Sequence, residues 1–244
     1  MAKILRSDSN VSVFENILPS KLLGEVQGTL GRLTQEEGLE KLYRTGRCGI
    51  SFWYPLEKKP QSVFERLIRH LHRAARIPKS CKGGEWWFNI RPSDASMHGH
   101  FDKDEAELKR SGEFRHPVRS SVLYLTDCGA PTLIYKVKST EFLQYCKTGK
   151  LPYESYFIPP RLNRYAVFDG NLYHGSAYVE NAFTRVDLSP DQPRIVLAVN
   201  WWRTKPGEPY CVDYDPMWGE RFQDAIMALS AGSERYRDND QEHS

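Results

Sequence analysis

The chain has 244 residues, with 34 Lys and Arg against 31 Asp and Glu, and its formal net charge at pH 7 is +3. So small an excess gives no strong basic field, and a nucleic-acid partner is therefore not expected. Hydrophobic residues make up 40% of the chain and aromatic residues 12%, which is enough apolar surface for a sizeable core and excludes wholesale disorder.

The apolar segments are too short for a membrane span. Runs such as Ile195–Val199 extend over about five residues, whereas a membrane helix needs about 20. The N-terminal residues also lack the apolar stretch of a secretory signal. The five cysteines are odd in number, widely spaced and without a Cys-x-x-Cys pair, which favours reduced thiols over disulfides or a thiolate zinc site. We therefore expect a cytoplasmic protein that does not enter the membrane.

Residues 1–82 are predicted to form a strand followed by helices. Alternating apolar residues in Val11–Ile17 favour a strand, and the apolar residues in Leu22–Leu30 recur at helical spacing after Pro19-Ser20. Gln61–Ala75 shows a second apolar helical face, with arginines on the opposite side. This part of the chain therefore precedes the core as its N-terminal helical part.

From residue 83 the pattern changes to eight short β-type runs separated by turn residues, which is the strand number of a jelly roll. Helical insertions are predicted at Asp104–Lys109 and Thr140–Cys146. The eight runs are Trp86–Ile90, Ser96–Phe101, Val118–Leu125, Thr132–Val137, Tyr153–Ile158, Arg164–Phe168, Leu172–Tyr178 and Ile195–Trp202.

No internal repeat or Pro/Gly-rich linker divides the chain, so we predict one domain over residues 1–244. Its fold class is α+β: a double-stranded β-helix (jelly roll) over residues 83–215, with flanking N-terminal helices. Pro216–Ser230 carries apolar residues at helical spacing and is predicted as a C-terminal helix, followed by a polar tail that ends at residue 244.

The most informative segment is Met97–Glu105, in which one residue separates His100 from Asp102. Side chains alternate along a strand, so both would point to the same face. His174 follows a tight turn and lies in a later predicted strand. Two histidines and one carboxylate on a β scaffold form a facial triad for non-haem Fe(II), which leaves coordination positions open for a co-substrate and dioxygen.

A different interpretation is that these side chains are hydrogen-bonded core residues, because a buried His paired with an Asp is common in proteins. His98 lies on the same face as His100 but is interpreted as a neighbour of the site or a surface residue, since His100 and Asp102 already supply two ligands. The other histidines are interpreted as ordinary helix, loop or tail residues: His70, His72, His116 and His243.

The sequence also resembles a known family. His100-Phe101-Asp102, His174 and Arg194 resemble the His-x-Asp…His…Arg signature of the 2-oxoglutarate- and Fe(II)-dependent oxygenases, and Ser121–Leu133 is similar to a segment of their prolyl-hydroxylase-like members. The resemblance extends over residues 11–202. It implies a catalytic domain with Fe(II) as cofactor, 2-oxoglutarate and dioxygen as co-substrates, and hydroxylation of an unactivated C–H bond as the reaction.

The resemblance further implies that an arginine binds the distal carboxylate of 2-oxoglutarate. Arg194 opens the last core strand, and we favour it over Arg185, which lies in a connecting segment. Many family members have Ser or Thr two residues after this arginine, but this chain has Val196. The hydroxyl partner must then come from elsewhere, and Tyr124 is the candidate because the matching Tyr in prolyl-hydroxylase-like members binds that carboxylate.

Asn89 lies eleven residues before His100, where the nucleic-acid demethylase branch of the family has an Asn that binds the co-substrate. Asn89 is therefore a candidate contact of 2-oxoglutarate, and a demethylase of alkylated nucleic acid becomes an alternative function. Against it, the strand that begins at Arg194 lacks the second Arg of that branch. A non-catalytic jelly-roll binding domain and a metal cupin that does not use 2-oxoglutarate are further alternatives.

The substrate class is open among small molecules, amino acids and peptidyl residues. Arg91 would share a strand face with Asn89, and its cation could bind a carboxylate of the substrate. The aromatic segment Phe52–Tyr54 follows Arg44 and Arg47 and could form a lid over the site. The alternatives are that Arg91 ends its strand in solvent and that the aromatic residues pack under the helices.

Overall fold

The computed structural model describes four parts of the chain, namely residues 3–37, 51–148, 154–177 and 193–214. Several residues of the sequence-based predictions lie outside the described residues. They are the C-terminal helix Pro216–Ser230 with its tail, Arg44, Arg47 and Arg185.

Twelve strands and four helices lie in the described residues. The strands are β1 Lys3–Ser7, β2 Val11–Glu15, β3 Ser51–Pro55, β4 Gly83–Arg91, β5 Met97–His100, β6 Arg119–Tyr124, β7 Thr132–Lys138, β8 Ser155–Ile158, β9 Tyr165–Asp169, β10 Leu172–Ser176, β11 Arg194–Trp202 and β12 Cys211–Asp213. The helices are α1 Ser20–Glu37, α2 Val63–Ala74, α3 Glu105–Ser111 and α4 Ser139–Thr148.

The strands form two sheets. The larger sheet has the order β1-β2-β9-β6-β11-β4-β3-β12, and the smaller has the order β5-β10-β7-β8. Neighbouring strands are antiparallel, except that β12 runs parallel to β3. Apolar side chains of β7, β8 and β10 join those of β2, β6 and β9 in one buried cluster, so the two sheets pack face to face.

The central strands β4 and β11 separate two chemically different faces. They pair in register over nine residues, and every residue of β11 is buried. Alternate side chains, such as Trp86, Leu197 and Trp201, form the main apolar core together with helices α1 and α2. The other side chains of the same strands are turned toward the smaller sheet, and several of them are polar or charged. This inner face forms one side of the space in which the candidate site lies.

Helix α2 covers the outer face of the larger sheet. Ser62 is its N-cap and accepts a hydrogen bond from the Glu65 backbone N–H, while the Glu65 side chain accepts from the Ser62 backbone, which completes a capping box. The apolar residues Phe64, Leu67 and Leu71 recur at helical spacing and are buried against the sheet. The two predicted helices of the N-terminal part are thus confirmed, and they support the outer side of the sheet.

All eight predicted core strands are confirmed and correspond to β4–β11. The two predicted insertions are helices α3 and α4. The described residues are therefore mostly β-sheet with few helices. Strands β1, β3 and β12 were not predicted, and β1–β3 show that residues 1–82 also contribute to the larger sheet.

The prediction of an aromatic lid is wrong. Phe52 and Tyr54 belong to the main apolar core, which confirms the alternative that the aromatic segment packs under the helices. Trp53 points to the opposite face, and its indole occupies the space where a side chain at Gly83 would be, 2.2 Å from an ideal Cβ. A continuous aromatic run has no polar–apolar alternation, and the sequence pattern therefore did not show that it is a buried strand.

No helix among the described residues is long and apolar enough to cross a membrane. Cys81, Cys128 and Cys211 are buried free thiols.

We expect the packing of α2 on the sheet to contribute strongly to stability. Leu67→Ala removes a fully buried side chain and should lower the free energy of unfolding by about 2–5 kcal/mol in urea denaturation. Arg66→Ala is the matched control on the exposed face, where the ion pair with Glu25 should contribute at most about 1 kcal/mol. Equal losses for the two variants would contradict this packing.

Candidate metal centre

His100, Asp102 and His174 converge at one point between the two sheets. Strands β5 and β10 pair with His100 opposite His174, and the centroids of the two imidazole rings are 4.4 Å apart. The Asp102 carboxylate lies against both rings, with Oδ1 3.7 Å from His100 Nε2 and Oδ2 3.5 Å from His174 Nε2. One potential ligand atom from each residue lies within 4.8 Å of the others, so the group could hold a metal ion.

The backbone fixes both imidazoles in the orientation that a metal ligand requires. Nδ1 of His100 lies 3.0 Å from the carbonyl oxygen of His98, and Nδ1 of His174 lies 3.0 Å from that of Leu172. A carbonyl can only accept, so each Nδ1 must carry the proton and donate it. In a neutral imidazole the lone pair is then on Nε2, the nitrogen that faces Asp102.

Burial and mutual interaction set the charges in this cluster. Burial lowers the pKa of His174 below its usual value and so favours the neutral ring, although Asp102 acts in the opposite direction. Burial alone would raise the pKa of Asp102, but His174 and His100 together with hydrogen bonds lower it, and the carboxyl is held ionised. Two neutral imidazoles and one carboxylate are a suitable donor set for a divalent transition metal.

His116 supports the backbone of Asp102, a role that the sequence analysis did not identify. Its Nδ1 donates to the Asp102 carbonyl oxygen at 2.7 Å, and its Nε2 accepts from Ser139 Oγ at 2.7 Å. His116 therefore fixes the main chain that carries the carboxylate, and it connects this chain to the start of helix α4.

Two glycines allow the strands with the histidines to approach closely. A Cβ at Gly99 would lie 2.2 Å from the Tyr173 hydroxyl, and a Cβ at Gly175 would lie 2.9 Å from the Met97 carbonyl oxygen. Real Cβ contacts essentially never come below 3.0 Å, so a larger residue at Gly175 would push against the backbone of β5, and one at Gly99 would displace the Tyr173 ring. Gly99 and Gly175, which are next to His100 and His174 in the sequence, thus allow the close strand packing that brings the two imidazole rings together.

Arg194 is a buried cation, and no carboxylate in the described part of the chain forms an ion pair with it. It is 2% exposed, and its Nε and Nη2 donate to the Ala130 carbonyl at 2.9 Å and to Thr132 Oγ1 at 3.3 Å. These bonds use two of the five guanidinium N–H donors. Gly129 has φ +101°, and a Cβ there would collide with the Arg194 side chain, so this glycine makes room for the guanidinium.

The hydroxyl next to Arg194 comes from Thr132, which the sequence analysis did not identify. Tyr124, the predicted partner, is fully buried; its hydroxyl donates to the Ile158 carbonyl oxygen at 2.9 Å and lies 2.5 Å from Thr132 Oγ1. Its single hydroxyl proton is therefore engaged within the fold. Tyr124 still lies beside the cation, because the Arg194 guanidinium is 5.6 Å from the centre of its ring.

Asn89 and Arg91 contact each other on the inner face of β4. Arg91 Nε donates to Asn89 Oδ1 at 3.0 Å, and Asn89 Nδ2 donates to the sulfur of Met97 at 3.5 Å. Arg91 pairs in register with Arg194 across the two strands, and the two like charges repel each other. The two predicted residues, Asn89 and Arg91, thus lie near the start of β11, where Arg194 is found. The side-chain oxygen of Asn89 is already occupied by its hydrogen bond from Arg91.

A cavity of about 410 Å³ opens beside His100 and Asp102. Its wall includes Glu85 on the inner face of β4 and the loop that precedes β12. The other residues that line it are Ser51, Trp87, Phe88, Met97, Phe101, Lys103, Asp104, Glu105, Asn200, Pro206, Gly207 and Tyr210.

Asp104 joins the cavity wall to the chain that carries the metal-binding group. Its carboxylate caps helix α3 at the backbone N–H groups of Ala106 and Glu107, and it also accepts from the Gly207 backbone N–H at 3.2 Å. Arg115 forms an ion pair with the same carboxylate. These contacts fix the loop around Gly207 against the segment that follows Asp102.

No protein-family model matches the sequence, and no curated protein matches it. Among solved structures, the chain is similar to a prolyl-4-hydroxylase of Pseudomonas putida, with 16% identity, 80% of this chain and 89% of that chain covered, and a TM-score of 0.49. It is similar to HygX of Streptomyces hygroscopicus with nickel and 2-oxoglutarate bound, with 14% identity, coverage of 79% and 81%, and a TM-score of 0.44. It is also similar to a prolyl hydroxylase of Trichoplax adhaerens in complex with a peptide fragment, with 11% identity, 80% of this chain and 84% of that chain covered, and a TM-score of 0.47.

We expect Gly99→Ala to destabilise the protein by about 1–3 kcal/mol, because the new methyl group collides with Tyr173. Gly28→Ala is the control, since nothing lies within 4 Å of its added Cβ in helix α1. That substitution should raise the free energy of unfolding by up to about 1 kcal/mol. In a double-mutant cycle measured by urea denaturation, Tyr173→Ala should reduce the cost of Gly99→Ala. An unchanged cost would show that the collision is not its cause.

Proposed function

We propose that this chain is an Fe(II)- and 2-oxoglutarate-dependent dioxygenase that hydroxylates an unactivated C–H bond. Its substrate would be a small molecule, an amino acid or a peptidyl residue. One observation carries the proposal: His100, Asp102 and His174 converge with both imidazoles held as Nε2 ligands. The sequence resemblance to the 2-oxoglutarate oxygenases supports it, since the same three residues match the signature of that family.

The proposal includes the fold class. We assign β4–β11 to a double-stranded β-helix, because four of these strands follow in the order β9-β6-β11-β4 in one sheet and the other four in the order β5-β10-β7-β8. From β4 to β7 and again from β8 to β11 the chain passes from one sheet to the other at each connection. The residues that flank this core belong to the same catalytic domain.

His100, Asp102 and His174 would bind Fe(II), and their donor set fits that metal. Bound iron would supply the activation of dioxygen, coupled to decarboxylation of 2-oxoglutarate. The residues of the chain orient the ligands: backbone carbonyls fix both imidazoles, and His116 fixes the main chain of Asp102. His174 is buried and His100 is partly exposed, so the open side of the centre faces the cavity.

Arg194 would bind the distal carboxylate of 2-oxoglutarate. The support is its burial without an anionic partner among the described residues, because a buried charge is costly unless it is paired. Its unused N–H donors suit a bidentate contact with a carboxylate. Thr132 holds the guanidinium in place, and Tyr124 holds Thr132. We therefore keep Tyr124 as part of this carboxylate site, acting chiefly through Thr132.

Asn89 and Arg91 are proposed as further contacts at the same end of the sheet. Asn89 would contact 2-oxoglutarate, and Arg91 would bind a substrate carboxylate. The support is their position on the inner face of β4, with Arg91 opposite Arg194 in the register. The hydrogen bond from Arg91 to Asn89 means that the two roles depend on each other.

Iron-stimulated release of succinate from 2-oxoglutarate tests the proposed reaction. A non-catalytic binding domain or a cupin that does not use 2-oxoglutarate would release none. A substrate library analysed by mass spectrometry for the gain of one oxygen atom then identifies the substrate. The same assay with methylated oligonucleotides would distinguish a demethylase, which releases formaldehyde and leaves an unmodified base.

Each of His100→Ala, Asp102→Ala and His174→Ala should abolish turnover and weaken Fe(II) binding while the fold is retained. Each removes one of three ligands, and the backbone offers no replacement. Fe(II) binding is measured by anaerobic calorimetry, and turnover by succinate release. His98→Ala is the matched control, because His98 contributes its carbonyl oxygen rather than its side chain. Full activity in any of the three variants would remove that residue from the metal site.

Arg194→Ala should raise the KM for 2-oxoglutarate about ten- to a hundredfold, since a hydrogen bond to a charged group contributes ~1.5–3 kcal/mol. Arg185→Ala is the comparison and should have a much smaller effect. Succinate release at varied 2-oxoglutarate concentration measures both. Equal or reversed effects would show that Arg194 is not the anchor of the co-substrate.

A further inference from the structure

Glu85 is a buried acid that the proposed chemistry does not use. It lies on the inner face of β4 and lines the cavity next to Asp102. In the sheet it pairs with Asn200 of β11 and with Trp53 of β3, so its position is fixed by the centre of the larger sheet. Glu85, Asn200 and Asp102 line the same cavity, and the Asp102 charge acts on the Glu85 carboxyl, which therefore lies near the candidate metal centre.

Neutral donors hold both oxygens of Glu85. Ser51 Oγ donates to Oε1 at 2.5 Å, and Trp202 Nε1 donates to Oε2 at 2.7 Å. A carboxylate accepts up to about four hydrogen bonds, so these contacts fix its orientation and leave acceptor capacity toward the cavity. The fold thus builds a rigid carboxyl group into the cavity wall.

Glu85 differs from the other carboxylates of the cavity in its partners. Asp102 lies between two histidines, Asp104 pairs with Arg115, and Glu105 pairs with Lys103 at 2.8 Å. No cationic side chain among the described residues pairs with Glu85. Burial, with a smaller contribution from the nearby Asp102 charge, raises the pKa of the Glu85 carboxyl to about 7. A buried carboxylate of this kind is costly until a cation compensates it.

We propose that Glu85 forms a subsite for a cationic group of the substrate, either an ammonium or a guanidinium group. Such a group would enter the cavity of about 410 Å³, pair with the Glu85 carboxylate and lie along the indole of Trp87, which lines the same wall. The subsite rests on the proposed function for its role in substrate choice. It narrows the substrate class to small amines and guanidines, including basic amino acids.

Arg194 and Glu85 place opposite charges at two ends of the space between the sheets. Both lie on the inner face of the paired strands β4 and β11, and six residues separate Arg194 from Asn200, the partner of Glu85. That is about 20 Å along a strand. An anion at Arg194 and a cation at Glu85 would therefore be two different molecules, which agrees with separate sites for co-substrate and substrate.

Two matched pairs of probes test the subsite on the full chain. The guanidinium probe n-butylguanidine is compared with its neutral counterpart n-butylurea, and the ammonium probe n-butylamine with neutral n-butanol, with binding measured by calorimetry under anaerobic conditions. The wild type should prefer the cationic member of a pair. Glu85→Gln should reduce its affinity for that member about ten- to a hundredfold and leave the affinity for the neutral member unchanged. Unchanged neutral binding also shows that the variant is folded.

Glu105→Gln is the matched control, because it removes a carboxylate of the same cavity that already has Lys103 as its partner. It should retain the wild-type preference. Equal binding of cationic and neutral probes by the wild type, absence of binding for all four, or a preference that survives in Glu85→Gln would each overturn the subsite.

The measurements are made with the metal-free chain and with the chain loaded with Fe(II) and 2-oxoglutarate. Loss of the subsite and loss of the proposed function are therefore distinguishable. A wild type that binds Fe(II) and 2-oxoglutarate without any cation preference refutes the subsite alone. A wild type that binds neither Fe(II) nor 2-oxoglutarate refutes the oxygenase, and the effect of Glu85→Gln on the metal-free chain then decides whether the subsite stands.

Discussion

The structure depends on the alternation of side chains along β4 and β11. One face of these strands is apolar and covered by helices, and the other carries acids, amides and arginines into the space between the sheets. Polar groups are costly in such a place unless they are hydrogen-bonded or paired. The apolar face supplies the burial that keeps this arrangement folded, and the inner face can therefore be used for binding rather than for packing.

The core strands could be predicted because alternation and turn residues are local signals. The pair His100 and Asp102 was recognisable for the same reason, since their spacing on one strand is visible in the sequence. β1 and β12 were missed because β1 is exposed along its whole length and β12 has three residues, so neither shows a pattern of burial. β3 was missed because its aromatic run is buried on both faces.

Site residues that depend on register between distant strands could not be predicted. Thr132 reaches Arg194 only because the two chain segments meet in space, 62 residues apart. The pairing of β4 with β11 places Glu85 opposite Asn200, and both residues line the same cavity as Asp102. A signal did exist for Glu85, because it shares the parity of Trp87 and Asn89 on β4. An acidic residue in a strand that is otherwise apolar and aromatic is unusual, and this can be recognised from the sequence alone.

The carboxylate of Asp104 has a mechanical consequence. It holds the loop around Gly207 and the start of helix α3 to a chain segment only two residues beyond Asp102. Movement of that loop would therefore be transmitted to the metal-binding segment rather than absorbed in a flexible hinge. The cavity wall and the candidate metal-binding group are thus joined through Asp104, so a change of shape at the wall would alter the position of this group.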